Sequence, residues 1–394
     1  MKKKTIKDIP VLKGKTVFLR VEFNVSLKDC QITNDLRIVE SLPTILYLLN
    51  KGAFLVLACH LGRPKGKPDL KYSLTPVAKR LEELVGKKVH LVNNFWQEKA
   101  IDEVNILKTT GIVLLENMRF HPGEESNDKK LSKHLSKMAD IYVNDAFGAT
   151  HRAHSSIVGL AEYLPSYAGL LLDKEITMIT RAIENPAKPL VAVIGGAKTP
   201  EKISVINKLL EIGDTVLLGG AIANTFLAAW GFGMGRSIVD HEMIEMARVI
   251  FWKTTRNHFA LILPADVVIS DAEKKQKPQV VPYDHVNNDA FIYDIGPETC
   301  KYYSSVMKTA KTIIWNGPMG LFEDDRFAAG TRCVLKTLSQ CEGALTIVGG
   351  GDTLTSVKDK QLLKGISHVS TGGGAMLELL QKGTLPGIEV LKNA

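Results

Sequence analysis

The chain lacks the features that would place it in a membrane or in an oxidising compartment. No apolar run approaches the roughly 18 residues that cross a bilayer, and the basic start "MKKKTIKDIP" is not followed by the apolar core of a signal peptide. The five cysteines are an odd set without a CxxC pair, which disfavours a disulfide framework or a zinc cluster. We therefore expect a soluble, cytoplasmic protein.

Aromatic residues are also scarce. They make up 7% of the 394 residues and are not interleaved with the basic ones, as they would be on a surface that stacks nucleic-acid bases. The net charge of +8 is compatible with nucleic acid and equally with a small polyanionic substrate. The charge alone does not choose between them, and the aromatic pattern favours the small substrate.

Eleven short β-rich apolar runs are predicted strands, among them "TVFLRV" (16–21), "AFLVLA" (53–58) and "FALILPADVVI" (259–269). Many of them alternate with amphipathic segments of helix length, a pattern typical of parallel sheets covered on both faces. The runs are too many for one sheet, and the length suits two or three domains. A long helix is predicted over 168–189, ending near "NPAKP". We therefore predict an α/β protein with two doubly wound domains, residues 1–170 and 189–379, joined by a helix over 171–188.

Positive residues recur at the ends of the predicted strands in the first half. The carboxyl ends of parallel strands meet at one edge of a sheet, so their loops come together. Each arginine alone is more simply explained as a surface ion pair. Their recurrence instead favours a small ligand with two anionic groups, which a guanidinium fork suits. The arginines are Arg20, Arg37, Arg63, Arg119 and Arg152.

Glycines follow the predicted strands of the second half and suggest a nucleotide site. In "AVIGGAKTPEK" a strand leads through a glycine pair to two lysines at a helix start, where backbone N–H groups can meet phosphate. No GxxxxGK[ST] motif occurs. The carboxylate in "GGGDT", Asp352, is either a helix N-cap or a Mg²⁺ ligand. Glu323 could hold ribose hydroxyls and Leu321 could line a base pocket, although a plain turn explains the neighbouring Gly-Pro equally well.

In order along the chain, these motifs resemble the signatures of the phosphoglycerate kinase family. The resemblance covers nearly the whole chain, and its motifs are long and specific to that family. They are "RVEFNV", "ITNDLRI", "HLGRPKG", "ENMRFHPGEE", "NDAFG", "HRAH", "GGAK", "WNGPMGLFE", "GGGDT" and "STGGGA".

The resemblance implies reversible, Mg-dependent phosphoryl transfer from 1,3-bisphosphoglycerate to ADP, giving 3-phosphoglycerate and ATP. It implies two Rossmann-like domains with a cleft between them that closes about the connecting helix, residues 171–188. The first domain would bind 3-phosphoglycerate and the second the nucleotide, with the tail of about 380–394 packed back onto the first. It further implies a monomer, Mg²⁺ as the metal, and no nucleic-acid or membrane partner.

Site residues follow from the matching positions. The resemblance makes Arg37, Lys198 and Gly373 catalytic and Asp352 the metal-handling carboxylate. The 3-phosphoglycerate site would comprise Glu22, Asn24, Arg37, His60, Arg63, Arg119 and Arg152, with the last three on the non-reacting phosphate. The nucleotide site would comprise Gly196, Ala197, Lys198, Lys202, Gly219, Gly220, Asn316, Gly317, Pro318, Leu321, Glu323, Gly350, Gly351, Asp352 and Thr353.

Two acidic positions depart from the family pattern. Glu22 stands where the family usually has Asp beside the substrate hydroxyl, and Glu201 stands where an Asp near the metal is usual. These changes put KM and metal geometry in doubt more than the reaction itself. Two other interpretations stay open: a regulatory protein that kept the fold and lost activity, and another acyl-phosphate kinase.

Overall fold

The computed structural model describes residues 2–29, 31–197, 200–256, 260–351, 353 and 360–394. The chain divides into two compact units, Met1–Thr177 with Thr384–Ala394, and Met178–Gly383. Each unit contains a six-stranded parallel sheet, so the predicted α/β class with two parallel-sheet domains is confirmed. Within these described ranges, no helix is long and apolar enough to span a membrane.

The first unit is built on a parallel sheet whose central strands are almost wholly buried. Both faces are covered by helices, which is why runs such as "TVFLR" and "FLVLA" are apolar almost throughout. The strands are β1 (Thr16–Arg20), β2 (Leu27–Lys28), β3 (Gln31–Ile32), β4 (Phe54–Ala58), β5 (Val89–Val92), β6 (Ile112–Leu115), β7 (Ile141–Asn144) and β8 (Ser166–Ala168). The sheet order is β5-β6-β4-β1-β7-β8, and β2 and β3 form a separate hairpin.

The helices of the first unit bury one apolar face each. In the helix Thr75–Val85, for example, Val77 and Leu81 are buried, and Gly86 ends the helix in the left-handed conformation at φ 66°. The helices are α1 (Leu36–Asn50), α2 (Thr75–Val85), α3 (Lys99–Leu107), α4 (Pro122–Glu125), α5 (Lys129–Ser136) and α6 (Leu170–Glu184), the last of which crosses into the second unit.

The second unit repeats the parallel plan and adds a small antiparallel sheet. Its strands are β9 (Leu190–Ile194), β10 (Thr215–Leu218), β11 (Ala260–Ile262), β12 (Asp266–Ser270), β13 (Gln279–Pro282), β14 (Phe291–Ile295), β15 (Thr312–Asn316), β16 (Leu345–Gly349) and β17 (His368–Val369). The parallel order is β11-β10-β9-β15-β16-β17, and the antiparallel order is β13-β12-β14. The helices are α7 (Pro200–Ile212), α8 (Gly220–Ala229), α9 (Ile244–Arg256), α10 (Pro297–Thr309), α11 (Ala329–Ser339), α12 (Gly373–Lys382) and α13 (Pro386–Glu389), the last of which belongs to the first unit.

One predicted strand is wrong. The apolar pattern of the run "FALILPADVVI" predicts a single strand over 259–269. In the structure this part of the chain contains two strands, β11 and β12, which lie in different sheets. Pro264 stands between them, and a residue without a backbone N–H cannot continue a central ladder. The antiparallel partners β13 and β14 are also absent from the sequence-based strand assignment.

The C-terminal segment is tied to the first unit by backbone and side-chain hydrogen bonds. Gly387 N donates to Thr150 O at 2.8 Å, and the Lys3 ammonium donates to Leu391 O at 3.0 Å. Asn144 Nδ2, at the end of β7, donates to Gly387 O at 3.1 Å. The tail is thereby anchored beside the strand ends that carry the predicted anion site.

Candidate active site

Four neighbouring strands of the first sheet deliver the predicted anion-binding loops. The strands β6, β4, β1 and β7 lie side by side and are parallel, so their carboxyl ends share one edge. Arg20 is the last residue of β1 and pairs in register with Ala58 of β4 and Asn144 of β7. The loops that carry His60, Arg119 and Arg152 therefore begin next to one another.

His60 is buried and its tautomer is determined by Arg20. Nη2 of Arg20 lies 3.0 Å from His60 Nδ1, and because a guanidinium can only donate, Nδ1 must accept and Nε2 must carry the proton. Burial, reinforced by the charges of Arg20 and Arg119, lowers the pKa of His60 well below its usual 6.5. His60 is thus a neutral donor through Nε2–H at physiological pH.

Arg119 is buried, and only one of its guanidinium nitrogens donates a hydrogen bond to a described residue. Its Nη1 donates to Gly62 O at 2.7 Å, and its Nε lies 3.1 Å from a carboxylate oxygen of Glu125 without being aligned for a hydrogen bond. Nη2 is buried without a hydrogen-bond partner among the described residues. Burial, followed by repulsion from Arg152, lowers the pKa of Arg119 to about 10, so it stays cationic at neutral pH.

The other two predicted phosphate ligands differ in exposure. Arg152 is half-buried, close enough to affect the pKa values of His60 and Arg119, and donates through Nε to His151 Nε2 at 3.1 Å. Arg63 is exposed on the loop after Gly62. The structure therefore groups His60, Arg119 and Arg152 closely, whereas Arg63 is exposed on the loop that follows His60.

Glu22, Asn24 and Arg37 form a second group beside this cluster. Nη1 of Arg37, in the first turn of α1, donates to the Asn24 carbonyl and lies 3.8 Å from Glu22 Oε1. Asn24 Oδ1 accepts from Gly62 N at 3.0 Å, which connects this group to the Arg119 loop. Glu22 is 2% exposed, and its Oε2 has no hydrogen-bond partner within the described residues. A carboxylate oxygen left this way is an acceptor for a ligand donor.

Asn117 and Glu116 hold the loops in place and were not predicted. Asn117 Nδ2 donates to Leu61 O at 2.7 Å, and its Oδ1 accepts from Arg119 N at 3.1 Å. Glu116 accepts from Leu74 N and Asn117 N, both at 2.8 Å. A polar pair directly after an apolar strand is the sequence signal that could have identified them, because polar groups buried at a strand end need partners.

A buried carboxylate, also missed from the sequence, balances Arg20. Arg20 Nε donates to Ser156 Oγ at 2.8 Å, and Ser156 Oγ donates to Glu124 Oε1 at 2.6 Å. Glu124 is fully buried, and its pKa is raised by burial and opposed by the nearby Arg20. The relay Arg20–Ser156–Glu124 fixes the guanidinium that orients His60.

The neighbouring His154 makes the unit sensitive to acid. Burial, followed by the charges of Arg119 and Arg20, lowers the pKa of His154 to about 3. Between pH 6.5 and about 3, His154 is therefore protonated in the unfolded chain and neutral in the folded chain. The free energy of unfolding consequently falls as the pH falls through this range. We expect His154→Gln to reduce the acid-side slope of the unfolding free energy by up to about 1.4 kcal/mol per pH unit. Urea unfolding across this window measures it, with exposed His285→Gln as the control. An unchanged slope in the His154 variant contradicts the prediction.

The glycine-rich loops of the second unit pack against one another. A Cβ on Gly220 would lie 2.6 Å from Gly196 N, and one on Gly195 would lie 2.2 Å from Pro318 O, so the loops after β9, β10 and β15 are in backbone contact. Gly196 has φ +86°, a left-handed conformation that glycine adopts at low cost. Lys202 Nζ donates to Gly195 O at 2.7 Å, and its ammonium lies next to this junction.

A cavity of about 300 Å³ opens beside this junction. Among the predicted nucleotide residues, it is lined by Gly196, Ala197, Gly220, Pro318, Leu321 and Glu323. Its remaining wall is mostly apolar and includes Phe291, Ile292 and Tyr293 of the antiparallel strand β14, which were not predicted. These residues could not be identified from the sequence, because the apolar pattern did not distinguish strand β14 from its surroundings.

Other predicted nucleotide residues lie behind or beside the cavity. Gly219 packs on Met319, and Asn316 Nδ2 donates to Gly349 O at 2.9 Å. Thr353 Oγ1 accepts from Gly317 N at 2.8 Å, and a Cβ on Gly373 would lie 2.5 Å from Gly350 Cα. The start of α12 thus meets the loop that contains Gly350 and Gly351. The predicted Lys198 and Asp352 lie outside the described residues, as does Thr199.

Comparisons with known proteins agree along the whole chain. The family model "Phosphoglycerate kinase" matches residues 6–383. Two curated relatives named phosphoglycerate kinase, from Pelotomaculum thermopropionicum and Chloroflexus aggregans, are 44% and 47% identical, covering 99% and 100% of both chains. Solved phosphoglycerate kinase structures from Coxiella burnetii and Pyrococcus horikoshii superpose with TM-scores of 0.85 and 0.86, at 39% and 33% identity over 98% of each chain.

Proposed function

The chain belongs to the phosphoglycerate kinase family, and from this premise we propose which of its residues carry the reaction. The reaction is the reversible transfer of a phosphoryl group from 1,3-bisphosphoglycerate to ADP, giving 3-phosphoglycerate and ATP. Residues of the first unit would bind the glycerate substrates, and residues of the second unit the nucleotide.

The observation that carries the assignment is the buried edge of Arg119, which has no hydrogen-bond partner among the residues that the structure describes. Burying a guanidinium without a full set of hydrogen-bond acceptors carries a desolvation free-energy cost. A bound phosphate offsets this cost because its oxygens supply the missing acceptors. Nη2 of Arg119 supplies such an edge, and Arg152 adds a second cation. We assign Arg119, Arg152 and the exposed Arg63 to the non-reacting phosphate.

His60 and Asn24 would orient the remainder of the substrate. Because Arg20 occupies Nδ1, His60 can only donate through Nε2, which suits a substrate oxygen and excludes a role as general base from that nitrogen. In the ATP-consuming direction no base is needed, since the attacking group is a carboxylate already ionised at neutral pH. Catalysis then depends on alignment and charge stabilisation.

Arg37 and Lys198 would stabilise the transferring phosphoryl group, with Gly373 contributing its backbone N–H from the start of α12. Arg37 is half-buried and lies beside Glu22 and Asn24, which supports a position next to the substrate. Its charge would compensate the negative charge on the phosphoryl oxygens in the transition state.

The nucleotide would enter as its Mg²⁺ complex. The cavity beside Gly196 and Gly220, with Leu321 and Glu323 in its wall, suits a base and ribose. Mg²⁺ commonly takes only one or two protein carboxylates and completes its shell with phosphate oxygens and water. One carboxylate, for which we propose Asp352, is therefore a sufficient protein ligand.

The two ligands would be held by different units, so we propose that the units close about α6 for transfer. Asp145 holds the first turn of this helix in the first unit, because its Oδ1 accepts from Leu171 N and Leu172 N at 2.9 and 3.1 Å. We further propose that the enzyme acts as a cytoplasmic monomer on these small molecules, since the reaction requires neither nucleic acid nor membrane.

Glu22 supplies the first test of the substrate site. Its Oε2, which has no hydrogen-bond partner in the described part of the chain, would accept a hydrogen bond from the substrate hydroxyl. A hydrogen bond to a charged group is worth about 1.5–3 kcal/mol. We expect Glu22→Gln to raise the Kd for 3-phosphoglycerate roughly tenfold to a hundredfold, as measured by titration calorimetry. Glu83→Gln, which changes an exposed carboxylate of the same unit, is the matched control. Equal affinity in wild type and Glu22→Gln would remove Glu22 from the site.

A further inference from the structure

Two cysteines of the second unit face each other across a pair of helices that the reaction does not use. Cys300 lies in the first turns of α10 and Cys333 in α11, and these helices pack side by side. Cys333 Sγ donates to the Cys300 carbonyl oxygen at 3.5 Å, which brings the two cysteines together where the helices pack. Both residues are partly exposed, so a small oxidant can reach them.

The surroundings favour Cys333 as the reactive member. Ser304 Oγ lies 3.3 Å from its sulfur and Lys336 is nearby. The neighbouring Cys300 side chain, followed by Ser304 and Thr337, lowers the pKa of the Cys333 thiol, while the same proximity raises the pKa of Cys300. A stabilised thiolate beside a second thiol is the arrangement found at reactive cysteine pairs.

We propose that a hydroperoxide oxidises Cys333 and Cys300 to a reversible disulfide, and that this bond weakens nucleotide binding by displacing α11. The Cys333 thiolate attacks one peroxide oxygen, forming an S–O bond as the O–O bond breaks and releasing water after protonation. Cys300 then loses its proton and attacks the sulfenic sulfur, so that the S–S bond forms as water leaves. Two thiols are oxidised, and hydrogen peroxide is reduced to two molecules of water.

The second half of the proposal rests on the proposed nucleotide cavity and on Asp294. Asp294 lines that cavity, and its Oδ2 accepts from Gly330 N at 2.8 Å, three residues before Cys333. A Cβ on Gly320 would lie 2.3 Å from Asp294 Oδ1, and one on Gly330 would lie 2.4 Å from it, so the Asp294 carboxylate is packed tightly against both glycines. A disulfide brings its sulfurs to about 2.05 Å, closer than any hydrogen-bonded thiols. A displacement of α11 on disulfide formation would therefore move Gly330 and reach the cavity wall through Asp294.

The other described cysteines do not share this arrangement. Cys59 is fully buried, and burial raises the pKa of its thiol. Cys341 donates to the Thr337 and Met307 carbonyls, and burial raises its pKa as well. Cys30 lies outside the described residues, so the test uses a Cys30→Ser background.

Peptide mapping tests the disulfide directly. The full-length Cys30→Ser protein is treated with hydrogen peroxide, alkylated and digested without reductant. We expect a loss of two thiols and a cross-link between the Cys300 and Cys333 peptides that dithiothreitol reverses. Cys300→Ser and Cys333→Ser should each abolish the cross-link, and the control Cys341→Ser should retain it. Pairing with another cysteine, or overoxidation of Cys333 without a disulfide, overturns the proposal.

Titration with ADP tests the link to the cavity in the same samples. The oxidised protein should bind ADP at least threefold more weakly than the reduced one, with recovery on reduction and no effect of peroxide in Cys300→Ser. A mapped disulfide with unchanged ADP affinity overturns the link. Failure of the reduced protein to bind ADP would instead count against the proposed nucleotide site, while the mapping still decides the disulfide.

Discussion

Replacing Arg37 by alanine is expected to lower kcat about a thousandfold and to change the KM for 3-phosphoglycerate much less. An arginine on the transferring phosphoryl group can contribute roughly 10³–10⁵ in rate, because it stabilises charge that is greatest in the transition state. Arg37 is half-buried, and its Nη1 already contacts the Asn24 carbonyl and faces Glu22 at 3.8 Å. These contacts hold the guanidinium in position before the substrate arrives, so it does not have to be reorganised during the reaction.

Two variants separate this role from a general disturbance of α1. Arg37→Lys keeps the charge but loses the planar fork, and should lie between wild type and Arg37→Ala. Arg80→Ala removes an arginine whose guanidinium pairs with Asp35, the residue that precedes α1. It should leave kcat within about twofold. Steady-state kinetics in which Arg37→Ala raises KM alone, or Arg80→Ala loses kcat equally, would contradict the assignment.

Replacing Arg119 by alanine is expected to raise the KM and Kd for 3-phosphoglycerate a hundredfold to a thousandfold. Truncating one partner of a buried charged contact costs about 2–5 kcal/mol, or roughly thirtyfold to five-thousandfold, and the expected loss lies in the middle of this range. The substitution also removes the hydrogen bond to Gly62 O, so some loss of thermal stability is expected. A binding loss caused only by unfolding must therefore be distinguished from loss of the phosphate contact.

The nucleotide affinity makes that distinction. The assigned nucleotide residues belong to the other unit, so the Kd for MgADP should stay within about twofold of wild type in folded Arg119→Ala. Arg119→Lys should recover part of the 3-phosphoglycerate affinity through its charge. Calorimetric titrations of both ligands measure this pattern. Parallel loss of both affinities would show that Arg119 is structural.

The predicted anion site could be identified from the sequence because it depends on the arrangement of parallel strands in the sheet. Once apolar runs identify parallel strands, the residues after them must share an edge, and His60, Arg119 and Arg152 do. The tautomer of His60 was not accessible, because it depends on a contact with Arg20 across 40 positions of the chain. The supporting amide of Asn117 is hidden for the same reason: its partners come from separate loops.

The proposed nucleotide cavity was only partly predictable. Its glycine-rich side follows parallel strands and carries recognisable motifs, whereas its apolar wall comes from β14 of an antiparallel sheet. Antiparallel strands of this kind alternate weakly between buried and exposed positions, and β13 is almost entirely exposed. Hydrophobic periodicity could not identify such strands, so Phe291 and Tyr293 were found only in the structure.

The central claim is that the chain transfers a phosphoryl group between the proposed substrates with Lys198 as a principal cation. The most direct measurement is ADP release from MgATP on addition of 3-phosphoglycerate, by wild type and by Lys198→Ala. We predict turnover that depends on 3-phosphoglycerate in the wild type and is abolished in a folded Lys198→Ala protein that still binds 3-phosphoglycerate. Wild-type protein that binds both ligands without turnover, or undiminished turnover in Lys198→Ala, would contradict the account.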